Sequence, residues 1–222
     1  MRFPLAREGW KFILPPLLLT VLAAATGHPV WAVALGAPTL FLVSFFRDPE
    51  RRPVAGLETI VSPADGTILS IGTAPEAPPG AGTRISIFMS VFNVHVNRAP
   101  VTGLVADYSY SPGKKLAAFA EKASHENEQN LITMEASGGR VAFKQIAGAI
   151  ARRIIFYPKP GQPLERAQRI GIILFGSRVD LFVPDGADVL VRKGQKVRAG
   201  LTGLARFPAP APGQGGRPPA RP

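Results

Sequence analysis

The chain contains no cysteine and only three histidines, His28, His95 and His125, in 222 residues. The first absence excludes disulfide frameworks, thiolate nucleophiles, iron–sulfur clusters and cysteine-built zinc sites. The histidines show no HExxH spacing, so a histidine-built zinc centre is not expected either, and no metal is assigned. Acidic residues are also scarce: 15 Asp and Glu stand against 26 Lys and Arg, a formal net charge of +11. Any catalysis must draw on carboxylates, one or two histidines, hydroxyls, or a group that the chain makes from itself. Hydrophobic residues, at 46%, suffice for a core, while Gly and Pro, 23 each, suit many short strands and turns. The length fits one ordinary domain with appendages. The basic balance admits nucleic acid, an anionic membrane surface or a phosphate-bearing substrate as partner.

Charge is missing altogether between Lys11 and Arg47. One helix over that stretch would run to about 52 Å, well beyond the ~30 Å hydrocarbon core of a bilayer. Gly27-His28-Pro29 breaks it into Phe12 to Thr26 and Val30 to Phe46, each short for a span. The pattern predicts a tight helical hairpin within residues 1–52, held at a membrane. Arg2, Arg7 and Lys11 before it, and Arg47, Arg51 and Arg52 after it, place both ends on the cytoplasmic face of the inner membrane. The competing reading is a cleaved secretory signal ending near Ala23-Ala24-Ala25; a second apolar segment closed by arginines argues against it.

From Val61 to about Ala205 the text changes to short β-like runs punctuated by Gly and Pro. Ile85, Ile87, Met89 and Val91 alternate; the phase then shifts so that Phe92, Val94 and Val96 share one face and Asn93, His95 and Asn97 the other. Val141 to Ile146, Arg153 to Tyr157, Ile170 to Phe175 and Val179 to Val183 are further strand candidates. Leu116, Phe119, Ala120 and Ala123 mark one helix, whose polar end carries His125, Glu126 and Glu128 and reads as a solvated terminus. Pro160-Gly161-Gln162-Pro163-Leu164-Glu165-Arg166 recurs as Lys193-Gly194-Gln195-Lys196-Val197-Arg198-Ala199, a period of 33. Two such hairpin units can cover each other's apolar faces, which resembles the halves of the lipoyl and biotinyl barrel-sandwich fold. The predicted fold is therefore mainly β (α+β): a barrel-sandwich or lipoyl-like hairpin core over 53–206 with one or two helices, preceded by the N-terminal hydrophobic helical hairpin. No turn carries a lysine in the setting of a swinging-arm carrier. The Pro/Gly-rich stretch 207–222 reads as a disordered tail.

The segment Leu174-Phe175-Gly176-Ser177-Arg178-Val179-Asp180 is the most informative. A Gly-Ser pair between apolar strands is ordinarily a turn or bulge. It also has a chemistry of its own. Glycine leaves its carbonyl open to approach, and the serine hydroxyl lies one peptide unit away. Attack by Ser177 on the Gly176 carbonyl moves the acyl group from nitrogen to oxygen. β-Elimination of the ester then breaks the chain, and hydrolysis of the resulting dehydroalanine leaves an N-terminal pyruvoyl group and ammonia.

In this context the chain resembles the phosphatidylserine decarboxylase proenzymes of the short bacterial and archaeal type. The resemblance is carried, in order, by FFRDPERRP, VSPADGTI, SIFMSVFNVHVNRAP, KASHENEQN, QIAGAIARRI and LFGSRVDLFVP, from Phe45 to Pro184. Longer members typically carry Leu-Gly-Ser-Thr and a second histidine three residues before the one aligned with His95; here that position is Phe92. The resemblance implies cleavage between Gly176 and Ser177, with the two resulting chains remaining associated. It also implies a self-processing triad of Asp65, His95 and Ser177, in which histidine takes the serine proton and the carboxylate fixes the histidine. Taken singly, Asp65 reads as an Asp-Gly turn and His95 as a hydrogen-bonded strand histidine. The covalent pyruvoyl cofactor derived from Ser177 would form a Schiff base with the substrate amine and draw electrons as CO2 leaves, turning phosphatidylserine into phosphatidylethanolamine in phospholipid biosynthesis. His95 is the favoured proton donor to the product. Arg178, Arg152 and Arg153 are candidates for the substrate's phosphate and carboxylate, with solvated surface charge the competing reading for the last two.

The apolar hairpin favours a lipid in an anionic membrane over a soluble amino acid as substrate. A non-enzymatic membrane-anchored adaptor with a lipoyl-like domain would account for the hairpin and the repeat but leaves FGSRVD without purpose. Nucleic acid is not expected as partner, because basic and aromatic residues do not alternate in any run. A homo-oligomer is left open.

Overall fold

The computed structural model describes residues 4–52, 56, 58–73, 78, 80–113, 127–148, 153–174 and 177–208. A 3₁₀ turn, Arg7–Gly9, leads into α1 (Trp10–Ala25), and Gly27 and His28 separate it from α2 (Pro29–Phe45). The expected hairpin is thus present, with Pro29 opening the second helix at a position where a missing N–H costs nothing. The helices meet where Gly36 leaves room for Thr20, whose hydroxyl lies 3.5 Å from that of Thr39. Each threonine also returns its hydroxyl to a carbonyl one turn back, satisfying it without water. Most of the hairpin's outer surface is apolar and exposed, Leu18, Leu22, Trp31 and Val33 among it. Its base is closed by a backbone bridge: Ala6 donates to Phe46 O (2.8 Å) and Asp48 to Pro4 O (2.7 Å). Arg7–Ala25 is long and apolar enough to cross a membrane; α2 is shorter.

Fourteen strands follow among the described residues. They are β1 (Thr59–Val61), β2 (Gly66–Thr73), β3 (Ala81–Met89), β4 (Val96–Arg98), β5 (Gly103–Ser111), β6 (Gln129–Ala136) and β7 (Gly139–Ala147), then β8 (Ile154–Phe156), β9 (Pro163–Leu164), β10 (Arg169–Ile173), β11 (Ser177–Pro184), β12 (Asp188–Val189), β13 (Lys196–Val197) and β14 (Gly203–Arg206). They form an eight-stranded antiparallel sheet, β13-β2-β3-β11-β7-β6-β5-β9, curled over two three-stranded sheets, β1-β14-β12 and β4-β10-β8. The mainly β reading holds. The helix expected from Leu116 lies outside the described residues as far as Glu126, but its expected solvated end does not continue it: Asn127 and Asn130 are buried and Gln129 opens β6. The phase shift noted after Met89 is a real interruption: β3 ends there, Ser90–Asn93 turn, and β4 begins at Val96.

The 33-residue repeat marks a two-fold relation running through the whole core. Gly161 and Gly194 both turn with positive φ (+82° and +83°). Their N–H groups reach Val105 O and Ile68 O, at 2.7 and 2.8 Å. Gln162 and Gln195 each cap their own turn with the side-chain oxygen, both at 3.2 Å. β9 then pairs with β5 and β13 with β2, at opposite edges of the large sheet. The sequences feeding those edges match as well, since Ser62-Pro63 through Ile68 corresponds to Ala99-Pro100 through Val105. Val61 donates to Pro100 O and Arg98 donates to Pro63 O, each at 2.9 Å, so the halves clasp reciprocally. Both β2 and β5 carry a bulge one step after the matched Ile68 and Val105. Ile60, Ile85, Ile87, Val105, Ile132, Met134, Phe143, Val179 and Leu181 fill the interior between the halves. A smaller cluster of Phe45, Phe46, Ile13, Val94, Val96 and Ile172 joins the hairpin to the core. Phe207, at the head of the expected tail, donates to Glu58 O (3.0 Å) and packs on the main core; residues 209–222 lie outside the described residues.

Candidate active site

β11 runs through the middle of the large sheet, paired with β3 on one side and β7 on the other. Its first residue, Ser177, faces Met89 and Ala147 across the two ladders and has no exposed surface. The hydroxyl donates to Met89 Sδ at 3.2 Å. A thioether is a weak acceptor and too weak a base to remove the proton, so the serine is held but not activated.

His95 sits between the Ser90–Asn93 turn and β4. Asn93 shapes that turn with its side-chain oxygen, which accepts from Ser90 N and Ser90 Oγ, both at 2.9 Å. The Asn93 carbonyl then lies 3.0 Å from His95 Nδ1. A carbonyl only accepts, so Nδ1 carries the hydrogen and Nε2 presents a lone pair. Nε2 is buried and has no hydrogen-bond partner among the described residues. The imidazole packs on the Phe45 ring, centroids 4.1 Å apart. Burial pushes its pKa down from 6.5 to about 4, and Arg47 adds to this, while the Asn93 carbonyl and Asp65 act in the opposite direction. The histidine is therefore neutral at pH 7.

Asp65 opens the turn into β2. Its Oδ1 accepts the Ala199 N–H at 2.7 Å, and both carboxylate oxygens accept from Arg51, whose guanidinium also reaches Ala199 O at 2.8 Å. In the other half the corresponding residue is Thr102, whose hydroxyl accepts the Arg166 N–H at 3.1 Å. The turn thus needs an acceptor at this position but not a charge. Among the described residues Asp65 makes no hydrogen bond to His95; what joins them is an electrostatic attraction. Likewise His95 makes no hydrogen bond to Ser177. The three expected triad residues lie in the one core without a continuous hydrogen-bonded relay in the uncut chain.

Arg178 departs from the expectation of a substrate contact. It is buried in the sheet, with Nε donating to Asp180 Oδ1 (2.6 Å) and Nη2 to Ser86 Oγ (2.8 Å). It ties β11 to β3 from a buried position. Arg153 is exposed, and its carbonyl accepts from Leu174 N–H at 3.2 Å. Arg152, Gly176, His125 and Glu126 lie outside the described residues. No group of three potential metal ligands occurs among the described residues.

The segment Phe45 to Arg52 does more than link anchor to core. Asp48 is buried and accepts from Arg98 (2.9 Å) and from Arg169, and Pro49 O accepts from Arg98 at 2.7 Å. Burial lowers the Arg98 pKa to about 10, which leaves it charged beside Asp48 at neutral pH. With Phe45 on His95 and Arg51 on Asp65, this segment touches two of the three expected triad residues. Its role was not read from the sequence, although FFRDPERRP was visible as a motif. Met89 and the buried amides Asn97, Gln145 and Asn130 were missed for a different reason: their partners come from strands distant in the chain.

Residues 39–205 match the phosphatidylserine decarboxylase family. The chain is 49% identical to the phosphatidylserine decarboxylase proenzyme of Trichlorobacter lovleyi over 208 residues, covering 90% of this chain and 95% of that protein. It is 45% identical to the proenzyme of Geotalea uraniireducens, covering 92% and 97% of the two chains, and 44% identical to that of Burkholderia cenocepacia, covering 93% and 99%. With coverage this complete on both sides, the chain belongs to the phosphatidylserine decarboxylase family of processed decarboxylases.

Proposed function

We propose that the chain cleaves itself between Gly176 and Ser177 and then decarboxylates phosphatidylserine to phosphatidylethanolamine, a step of phospholipid biosynthesis, at the cytoplasmic face of the inner membrane. The observation that carries this reading is the setting of Ser177, fully buried at the head of a central strand with only a sulfur against its hydroxyl among the described residues. A structural serine in such a place would be expected to have a carbonyl or side-chain oxygen as partner.

The residues suit a pyruvoyl group at position 177. Ser177 is fully buried, its neighbour Met89 is inert, and His95 Nε2 is a buried polar atom without a partner among the described residues. The group would supply an electrophilic carbonyl that withdraws electrons from the substrate as CO2 leaves. The chain's own residues do the rest. Neutral His95 accepts the Ser177 proton during self-cleavage and later moves a proton at the product carbon; Asp65 favours its charged form when that proton arrives. Phe45 and the hairpin base keep water away from the imidazole. The headgroup's phosphate and carboxylate remain for Arg152 and Arg153, since Arg178 is committed to Asp180 and Ser86.

The membrane assignment rests on the apolar hairpin and its basic flanks, which hold the enzyme where its lipid lies. The α chain of 46 residues carries 8 basic and 3 acidic residues, which suits an anionic surface. Continued association of the cut chains follows from β11, which is hydrogen-bonded on both sides to strands of the other fragment. Denaturing mass spectrometry tests the reading. Fragments of roughly 19 and 5 kDa, at ~110 Da per residue, are expected. Ser177→Ala should give one uncut, inactive chain, and dispersed phosphatidylserine should be consumed where free serine is not. Persistence of an intact wild-type chain would overturn the proposal.

A further inference from the structure

The two-fold relation gives most core residues a counterpart in the same backbone setting in the other half. Against that internal comparison one feature stands out. Tyr108 Oη donates to Asn130 Oδ1 (3.3 Å), Asn130 Nδ2 to Gln145 Oε1 (3.4 Å), and Gln145 Nε2 to Asn97 Oδ1 (2.7 Å). Asn97 Nδ2 lies 3.8 Å from Met89 Sδ, the same sulfur that holds Ser177 Oγ at 3.2 Å. Asn97, Gln145 and Asn130 are all buried. Each side-chain oxygen in the row is spent on the previous donor, so each N–H points one step nearer to Ser177. Among the described residues the last N–H meets only a thioether.

The counterparts follow from the paired registers. Asn97 corresponds to Ile60, through Val61 matching Arg98 and the bulged ladders of β1–β14 and β4–β10. Tyr108 corresponds to Ile71, one step beyond the matched bulges of β2 and β5. The pair Asn130 and Gln145 corresponds to the pair Thr83 and Val183. The same fold therefore closes over Ile60 and Val183 without the amides. A buried amide with a poor partner is destabilising, and the packing of this core does not require it.

We propose that Asn97 is the hydrogen-bond donor held at residue 177 for self-cleavage, with Gln145 and Asn130 as positioning residues that orient and polarise its N–H. The proposal rests on the reading of Ser177 as the residue that breaks its own chain. In the first step the Ser177 Oγ–C bond forms, the peptide C–N bond breaks, and the hydroxyl proton ends on the freed amine. Negative charge passes through the carbonyl oxygen on the way. Asn97 supplies an N–H to that oxygen, and a chain of aligned amides strengthens it. Met89 holds the hydroxyl until then without taking its proton.

The test follows chain scission in cell-free synthesis of the full chain. The triple variant Asn97→Ile, Gln145→Val, Asn130→Thr installs the residues of the other half. Its thermal melt should match that of Ser177→Ala, while cleavage slows by roughly a hundredfold, the scale for losing one such donor. Hydroxylamine, which opens a Ser177 ester, should not restore scission, because the ester is what fails to form. The single variant Asn97→Leu should slow cleavage similarly. Wild-type cleavage rates in either variant overturn the proposal. So does a triple variant that fails to fold, since the row would then serve the fold. Failure of the wild-type chain to cut would instead sink the reading of Ser177 itself.

Discussion

In the proposed self-cleavage His95 must be neutral to accept a proton, and burial achieves this at the expense of acid tolerance. Folding lowers its pKa from 6.5 to about 4, so between those values the unfolded chain binds more protons than the folded one. Stability therefore rises with pH from about 4 to about 6.5, by at most ~1.4 kcal/mol per unit, and this contribution is flat above that range. Denaturant titrations of the Ser177→Ala chain at several pH values should show that slope, and His95→Gln should remove it. The same shift predicts that self-cleavage barely slows between pH 7 and pH 5, where an exposed histidine would be mostly protonated. Asp65 separates in the same way into a turn acceptor and a charge. Asp65→Thr copies Thr102 and should keep the turn, but it removes the charge facing His95 and Arg51. Cleavage slowed at least tenfold with the β-rich spectrum retained is the expected result; equal rates would leave Asp65 only its turn. At this scale the sequence placed His95 and Asn97 on one polar face, and the structure keeps both buried. It did not reveal that Arg178 points into the sheet, because a side chain's direction at a strand's start depends on which strands flank it.

At the scale of elements, α2 and the segment after it form part of the candidate site and not merely a tether. Phe45 ends the helix against His95, and Asp48 ties the following turn to β4 and β10 through Arg98 and Arg169. Replacing Phe45 with Ala should cost about 3–5 kcal/mol of packing. It should also admit water to the imidazole and raise its pKa toward 6.5. The acid limb of the cleavage–pH profile would then move upward, an effect that lost packing alone would not produce. The helical hairpin was legible because charge is absent over a long run and Gly27-His28-Pro29 interrupts it. The hairpin repeat was legible because its turns demand glycine at the same two places. The two-fold extending beyond it was not, since Ser62 to Ile68 and Ala99 to Val105 share little but Pro and Gly and the rest of the likeness is backbone.

For the whole molecule, the proposed cut between Gly176 and Ser177 would break connectivity and leave the architecture intact. β11 lies between β3 and β7, β13 closes one sheet edge on β2, and β14 pairs with β1. The two products should co-elute in detergent under native conditions and part only on denaturation; separation in mild buffer would contradict this placement. In a chain cut ahead of Ser177, the central seat of β11 would also make folding a one-time event. Before scission the strand finds its place by a unimolecular search within one chain. Afterwards, regaining it requires two chains to meet, so recovery from denaturation becomes dependent on protein concentration. The cut protein's persistence would then be set by how slowly it comes apart and not by an equilibrium it can re-enter. A denatured and diluted sample should recover little activity, while the uncut Ser177→Ala chain refolds at any dilution.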